Sequence, residues 1–308
     1  MWTLCAAFLF SLMALLVKLL GNRLDSFQIA FFRAAFGLLG ILPFALAAGA
    51  ACWQTQRFHL HFLRGSIGML AMFCGFYALT HLPLADAVAL SFTKPLFLIV
   101  LATILLGEKI RARRITATAA GFLGVLIMLR PGGEPDPAAL VALAGALCVA
   151  FVVVTVKKLV QTERPVTVMF YFGLISTAIA AIPAALVWQQ PTTGEFVALV
   201  SIGLLGATAQ SCMIRGYQVA EAMAVASLDY TRLIYAGLFS IFIFHEIPDR
   251  WSVFGAAIIV ASTFYIVYRE NQLGRRPTAP MVDQAPIKPD DIATQARTGD
   301  KDDRRAAD

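Results

Sequence analysis

Leu90-Ser-Phe-Thr-Lys-Pro95 and Leu228-Asp-Tyr-Thr-Arg-Leu233 decide the fold, because they are two copies of one pattern, 138 positions apart. Matches among glycine, alanine and leucine are common in apolar sequence, but ionisable residues are rare there, so paired basic residues are informative. We therefore interpret the register as an internal repeat. Other pairs that keep the same spacing are Gly65 with Gly203, Gly68 with Gly206, Cys74 with Cys212 and Glu108 with Glu246.

The composition predicts an integral membrane protein. Of 308 residues, 59% are apolar and 14% are charged, whereas soluble domains have about 45–50% and about 25%. A helix needs about 20 apolar residues to cross a hydrocarbon core of about 30 Å. The sequence contains ten apolar stretches: Trp2–Leu20, Phe27–Ala47, Gly65–Leu82, Ala85–Leu106, Ile115–Leu129, Ala138–Val156, Val166–Val187, Phe196–Tyr217, Ala222–Phe244 and Trp251–Val267.

The predicted fold is all-α and integral to the membrane, with ten transmembrane helices arranged as two inverted five-helix repeats. Residues 1–131 form the first repeat and residues 138–269 the second, while the Pro-, Asp- and Arg-rich residues 270–308 form a disordered tail. Five is odd, so the second repeat enters the membrane from the opposite side. Inverted repeats are common in secondary transporters, whose substrate site lies near the midplane between the repeats.

The distribution of lysine and arginine predicts the orientation. One set of alternate loops holds ten basic residues, Arg64 among them, and the other holds four, Lys18 among them. Because cytoplasmic loops are enriched in basic residues, we expect both termini to be cytoplasmic, in the inner membrane of a bacterium. The same enrichment accounts for the net charge of +6 without a nucleic-acid partner.

Two basic residues at repeat-related positions mark the candidate site. Lys94 and Arg232 are predicted near the bilayer centre, where each charge costs about 2.5–3.5 kcal/mol. We expect both to line a substrate cavity between the repeats. Asp229 lies three residues before Arg232, so an intrahelical ion pair is an alternative or additional role. Arg33, in the second apolar stretch, either contacts substrate or snorkels to the membrane surface.

The neighbours of these residues complete the candidate set. Phe92 and Tyr230 precede the two basic positions, and their rings either stack on a planar solute or only pack between helices. Pro95 frees the carbonyl of Ser91 from helical hydrogen bonding. We assign Gly65, Gly68, Gly203 and Gly206 to close helix packing, and Glu108 and Glu246 to structural roles. The predicted substrate-binding residues are Lys94, Arg232, Asp229, Tyr230, Phe92, Ser91, Arg33, Gln210 and Tyr77.

The sequence argues against an enzyme, a metal site or a cofactor. The five cysteines are isolated in the sequence, and the four histidines lie at predicted helix ends or in loops. Neither pattern supplies a nucleophile with its base, nor metal ligands at membrane depth. A scaffold would not need two buried cations at symmetric positions. The expected partners are therefore a small-molecule substrate and the lipid bilayer, and the oligomeric state stays open.

The repeat and its motifs resemble the drug/metabolite transporter superfamily, EamA type. The motifs are Lys18-Leu-Leu-Gly21, Phe31-Phe-Arg33, Ser91–Phe97, Gly107-Glu108, Gly121–Val125 with Arg130-Pro131, Asp229–Leu233 and His245–Asp249. Within it the chain looks most like the branch of S-adenosylmethionine and riboflavin uptake carriers. The resemblance implies ten helices around a cavity open alternately to each side. It also implies uptake of a cofactor-like metabolite, with export of amino acids or related metabolites as the alternative.

Two departures from that family pattern accompany the resemblance. Position 94 is usually uncharged in such sequences, so Lys94 is expected to tune substrate choice. The lead before the first helix is short, from which we expect a slightly truncated start. A small multidrug pump is a poorer match, because Met1–Gly21 contains no carboxylate and two midplane cations would repel a cationic drug.

Overall fold

The computed structural model describes residues 1–47, 49, 55–106, 112–129, 136–159, 163, 165–219 and 228–274. Within these ranges all regular structure is helical, and residues Met1–Arg269 form one compact unit. The predicted disordered tail lies, from residue 275 onward, outside the described residues. The helices are α1 Trp2–Leu20, α2 Ser26–Ala47, α3 Phe58–His81, α4 Leu84–Ser91, α5 Lys94–Leu106, α6 Ala112–Met128, α7 Pro137–Leu159, α8 Pro165–Leu186, α9 Thr193–Val219, α10 Thr231–Phe242 and α11 Arg250–Gly274.

Six helices of the described ranges, α1, α2, α3, α7, α8 and α9, are long and apolar enough to cross a membrane. Large apolar side chains on the outside of the bundle, such as Phe44 and Ile182, are exposed, as lipid-facing residues are. The count of ten transmembrane helices stays a prediction. The fourth predicted helix is divided in two, α6 and α10 are shorter than 18 residues, and residues 220–227 lie outside the described ranges.

The prediction of one continuous fourth helix over Ala85–Leu106 is wrong. The helix breaks at Phe92 and Thr93, and α5 begins at Lys94. Proline is tolerated in a first turn, where its missing N–H would have no partner anyway, so Pro95 favours a new start here over a continuous helix. The Thr93 hydroxyl donates to the Leu90 carbonyl at 2.7 Å.

The second repeat contains the same break. Residues 228 and 229 are helical, Tyr230 is in a turn, and α10 begins at Thr231. The Thr231 hydroxyl donates to the Leu228 carbonyl at 2.7 Å, which is the repeat-related counterpart of the Thr93 bond. Two half-helices therefore begin within one residue of equivalent positions of the two repeats.

Helix packing is also related by the repeat. The contact between α1 and α9 corresponds to the contact between α7 and α3 in the other repeat. In the same way, the crossing of α2 with α9 corresponds to the crossing of α8 with α3. Glycines at the two crossings allow the approach: a Cβ on Gly65 would lie 2.5 Å from Ile175, and one on Gly203 would lie 2.3 Å from Phe36. This confirms the prediction that these glycines serve close packing.

Several basic residues that the orientation argument counted in loops lie within helices, and Arg64 and Lys18 are two of them. Helix α3 begins at Phe58 rather than near Gly65, so Arg64 belongs to the helix. The two histidines of Phe58–Arg64 lower its hydropathy, which hid this turn in the sequence. Lys18 lies in the last turn of α1 and is only 8% exposed. The loops themselves therefore hold fewer basic residues than the argument counted, and the predicted orientation stays a prediction.

Candidate functional site

The two helix breaks meet at a pair of aromatic rings. The centroids of Phe92 and Tyr230 are 4.9 Å apart, with an angle of 39° between the ring planes. The Tyr230 hydroxyl lies 2.5 Å from that of Thr263 on α11, which holds the ring in place. Because positions 92 and 230 are related by the repeat, equivalent residues of the two halves are in contact here.

A cluster of three charged side chains adjoins this ring pair. The Lys94 ammonium lies 5.9 Å from the centre of the Phe92 ring, within electrostatic range of Asp229, which attracts it, and of Arg232, which repels it. The Arg232 guanidinium is 3.9 Å from Asp229 and lies over the ring of Phe10 on α1, at 4.9 Å. The sequence-predicted residues at the centre of the repeats are therefore neighbours.

The charged cluster has unused hydrogen-bonding capacity. The Asp229–Arg232 separation is too long for a hydrogen bond, and Oδ1 of Asp229 and Nε of Arg232 are both buried without a hydrogen-bond partner among the described residues. Lys94 and Arg232 also lie in the first turns of their helices, where the helix dipole disfavours a cation. These positions are costly for stability, which is typical of residues kept for binding.

The predicted Asp229–Arg232 ion pair is present, and the two readings of Arg232 are compatible. The two residues are three positions apart on either side of the break at Tyr230, and both side chains are mostly buried, with 14% and 17% exposed. The contact to Phe10 joins the pair to the first helix of the other repeat. Arg232 thus has a local partner and a position between the repeats.

Arg33 points toward the middle of the bundle and does not snorkel outward. At the α2–α9 crossing, Phe36 lies against Gly203. Arg33 precedes Phe36 on α2, but its Nε lies beyond Gly203 on α9, 3.1 Å from where a Cβ of Gly206 would be. Gly206 is almost one turn further along α9, so the side chain extends away from the nearer end of α2. Arg33 is within electrostatic range of Arg64, which repels it.

Arg64 is a mostly buried basic residue of the bundle that sequence reasoning placed in a loop. Its guanidinium carbon lies 4.4 Å from the centre of the Phe172 ring on α8, and one terminal nitrogen is 3.4 Å from the Val168 carbonyl. Its Nε is buried and has no hydrogen-bond partner in the described part of the chain. The repeat gives no signal for Arg64, because the equivalent position in the second half is Ile202.

Three other predicted residues lie apart from the charged cluster or use their polar groups locally. The Ser91 hydroxyl donates to the Val88 carbonyl at 2.7 Å, within its own helix. Gln210 is exposed on α9, about one turn beyond Gly206. Tyr77 stacks on His81 near the end of α3, with ring centroids 3.9 Å apart. Their predicted substrate contacts stay predictions.

An ion pair that the sequence did not predict joins helix α1 to the segment after α10 at one end of the bundle. The Lys18 ammonium lies 2.7 Å from a carboxylate oxygen of Glu246 and donates to the Leu82 carbonyl at 2.6 Å. The same carboxylate accepts from the Leu84 amide and the Ser240 hydroxyl, both at 3.2 Å. The predicted repeat partner Glu108 lies outside the described residues. Lys18 and Glu246 are 228 positions apart, so no local spacing could reveal their contact.

Two further contacts join helices at this same end. The side-chain amide of Gln28 donates to the Gln189 carbonyl at 2.7 Å, and the Gln189 amide donates to the Gln28 side chain at 2.9 Å. Arg23 forms an ion pair with Glu195 at the protein surface. In the described ranges no group of three His, Cys, Asp or Glu residues could hold a metal ion.

Comparison with known proteins identifies relatives over nearly the whole compact unit. Residues 1–130 and 136–268 each match the EamA-like transporter family. The S-adenosylmethionine uptake transporter of Rickettsia prowazekii is 33% identical over 88% of this chain and 92% of its own length. The pseudopaline exporter CntI of Pseudomonas aeruginosa is 30% identical over 83% of this chain and 91% of its own. The riboflavin transporter of Brucella anthropi is 30% identical over 82% and 91%.

Proposed function

The chain belongs to the EamA-like transporter family, and from that premise we propose that it takes up a small polar cofactor-like metabolite, with S-adenosylmethionine as the first candidate. The observation that carries the proposal is the symmetric pair of helix breaks beside Lys94, Asp229 and Arg232. Broken helices with unsatisfied polar groups at the interface of two repeats are where secondary transporters bind substrate.

We propose that the substrate lies among the rings of Phe92 and Tyr230, the charged cluster of Lys94, Asp229 and Arg232, and the side chain of Arg33. The rings offer a face for stacking, and Asp229 offers a carboxylate for a cationic group. Asp229 and Arg232 each have a buried polar atom without a hydrogen-bond partner among the described residues. This supports the assignment, because buried polar atoms normally have partners. The proposed contacts are made by Lys94, Asp229, Arg232, Phe92, Tyr230 and Arg33, with Ser91, Gln210 and Tyr77 further from the centre.

We further propose that the chain crosses a bacterial inner membrane ten times, as two inverted repeats, with both termini in the cytoplasm. The lysine and arginine distribution supports this orientation. In it, the end closed by Lys18 and Glu246 faces the periplasm. The structure would then correspond to a conformation closed to the outside.

Uptake of S-adenosylmethionine is favoured over the other candidates by the identity to the Rickettsia prowazekii relative, at 33%. Riboflavin is the second uptake candidate, by similarity to the Brucella anthropi protein at 30%. Export is the alternative direction, since an exporter is 30% identical over most of its length. Direction is therefore tested separately from substrate.

Uptake by proteoliposomes tests the proposal. Purified chain is reconstituted, and the accumulation of labelled S-adenosylmethionine and of riboflavin is followed, with loading from either face to establish direction. Lys94→Ala and Arg232→Ala remove charges that contact substrate, so each should lower kcat/KM about 10- to 100-fold, the range for a lost charged hydrogen bond. Arg250→Ala is the control, because Arg250 lies over Trp251 at the start of α11, away from the cluster.

Each result has a defined meaning. If neither solute accumulates or leaves the vesicles, the proposed substrates are wrong. If both are transported but Lys94→Ala and Arg232→Ala behave like Arg250→Ala, the transporter assignment stands and the proposed site is wrong.

A further inference from the structure

The geometry points to a second element of the site: we propose that Arg33 and Arg64 together bind a carboxylate group of the transported solute. This inference rests on the proposed transport function and deepens it, because it names the anionic group that the solute must carry. It also makes a choice between the candidates. S-adenosylmethionine has a carboxylate, whereas riboflavin has neither a carboxylate nor a phosphate.

The first support is charge balance at membrane depth. Arg33 and Arg64 repel each other, and neither has a carboxylate within ion-pair distance among the described residues. A guanidinium group cannot deprotonate in a protein to escape this cost. Lys94 and Arg232, in contrast, share Asp229. The uncompensated positive charge therefore lies with the two arginines.

The second support is the free edge of Arg64. The Phe172 ring covers the face of the guanidinium at 4.4 Å, and the single backbone contact to Val168 is long, at 3.4 Å. Face stacking leaves the in-plane N–H groups available, and Nε has no partner in the described ranges although it is buried. A carboxylate fits this planar edge, because its two oxygens match the guanidinium fork.

The third support is that Arg33 occupies a space that a side chain at position 206 would fill, and that the ring covering Arg64 occupies the matching space at position 68. A Cβ on Gly206 would lie 3.1 Å from Nε and 3.4 Å from a terminal nitrogen of Arg33. A Cβ on Gly68 would lie 2.7 Å from the Phe172 ring that covers Arg64. These glycines are repeat partners. Arg33 and Phe172, the ring that covers Arg64, therefore occupy corresponding places at the two helix crossings.

The decisive experiment compares two ligands that differ only in the carboxylate. Binding of S-adenosylmethionine and of decarboxylated S-adenosylmethionine is measured on the purified, full-length chain. Wild type should bind the carboxylate-bearing ligand about 10- to 100-fold more tightly, the range for a buried charge-assisted pair. Arg33→Gln and Arg64→Gln should lose that preference, because the two ligands then differ in no recognised group.

Matched variants separate the proposed contact from other effects. Arg215→Gln removes an exposed arginine that lies over Trp2 at 5.1 Å, so it repeats the cation–aromatic loss of Arg64→Gln without the site. Lys94→Ala should weaken both ligands alike. Arg33→Lys and Arg64→Lys keep the positive charge but lose the two parallel N–H donors of the guanidinium, so they should retain part of the preference for the carboxylate-bearing ligand. If a glutamine variant does not fold, the lysine variants provide the test instead.

The outcomes are distinguishable from those of the proposed function. If Arg33→Gln and Arg64→Gln keep the full carboxylate preference, or Lys94→Ala alone removes it, the inference is overturned. If wild-type vesicles transport none of the proposed solutes, succinate and succinamide at equal ionic strength serve as probes in thermal unfolding. Stabilisation by succinate alone, lost in both glutamine variants, would uphold the inference; equal effects would overturn it.

Discussion

Replacing Glu246 by glutamine should open the closed end of the bundle. The change is nearly isosteric, and the new amide carbonyl can still accept from the Leu84 amide, so the variant removes mainly a charge. It leaves the Lys18 ammonium with only neutral partners, the Leu82 carbonyl and the new amide oxygen. Breaking a fully buried ion pair costs about 3–5 kcal/mol, and an exposed pair is worth about 0–1 kcal/mol. The side chains of Lys18 and Glu246 are 10% and 31% exposed, which places the expected loss between these limits, at about 2–3 kcal/mol.

A loss of this size corresponds to an approximately 30- to 150-fold larger open population. Hydrogen exchange of the peptide that contains Leu84 measures this open population, because the Leu84 amide donates a hydrogen bond to the Glu246 carboxylate and is protected while the bond is formed. Glu195→Gln is the matched control, since it removes a carboxylate from an exposed ion pair with Arg23 at the same end. The double exchange Lys18→Glu with Glu246→Lys should recover part of the protection. If Glu246→Gln accelerates exchange no more than Glu195→Gln does, the pair does not hold this end closed.

Two other perturbations test the packing around the site. Gln28→Ala should lower the unfolding midpoint in detergent clearly more than Gln189→Ala, because Gln28 contributes its side chain to the paired bonds and Gln189 only its backbone; equal effects would contradict this. Each orphaned buried group costs about 1–3 kcal/mol. Gly255→Ala should reduce the yield of folded protein, since its Cβ would lie 2.7 Å from the Gly124 carbonyl at the α6–α11 crossing, whereas Gly194→Ala meets nothing within 4 Å and should be tolerated. Monodisperse yield from detergent measures both, and an equal yield would show that the crossing can adjust.

Much of the fold was predictable because its signals are local or periodic. Apolar length indicates helices, and the 138-residue register led to the equivalence of Phe92 with Tyr230, which are in contact. The break after Ser91 was only half-visible. Pro95 indicated irregular backbone, but whether proline kinks a helix or starts a new one depends on the packing around it.

The rest of the site depends on side-chain reach, which sequence spacing does not encode. Arg33 was ambiguous because the long side chain of an arginine near a helix end can reach either the membrane surface or the bundle interior, and the space beside Gly206 decides between them. Arg64 was misplaced because two histidines weaken the hydropathy of the first turn of α3. The contact of Lys18 with Glu246 joins opposite ends of the sequence, so only the packed helices bring it about.

The equivalent glycines at positions 68 and 206 do different work. One cradle receives an aromatic ring, Phe172, and the other receives the guanidinium of Arg33. A duplicated chain starts with both places identical, and only one of them has to keep the helices together by simple packing. The other is free to change its occupant. Specificity in such a carrier can therefore evolve by exchange at one copy of a duplicated contact, while the second copy preserves the architecture.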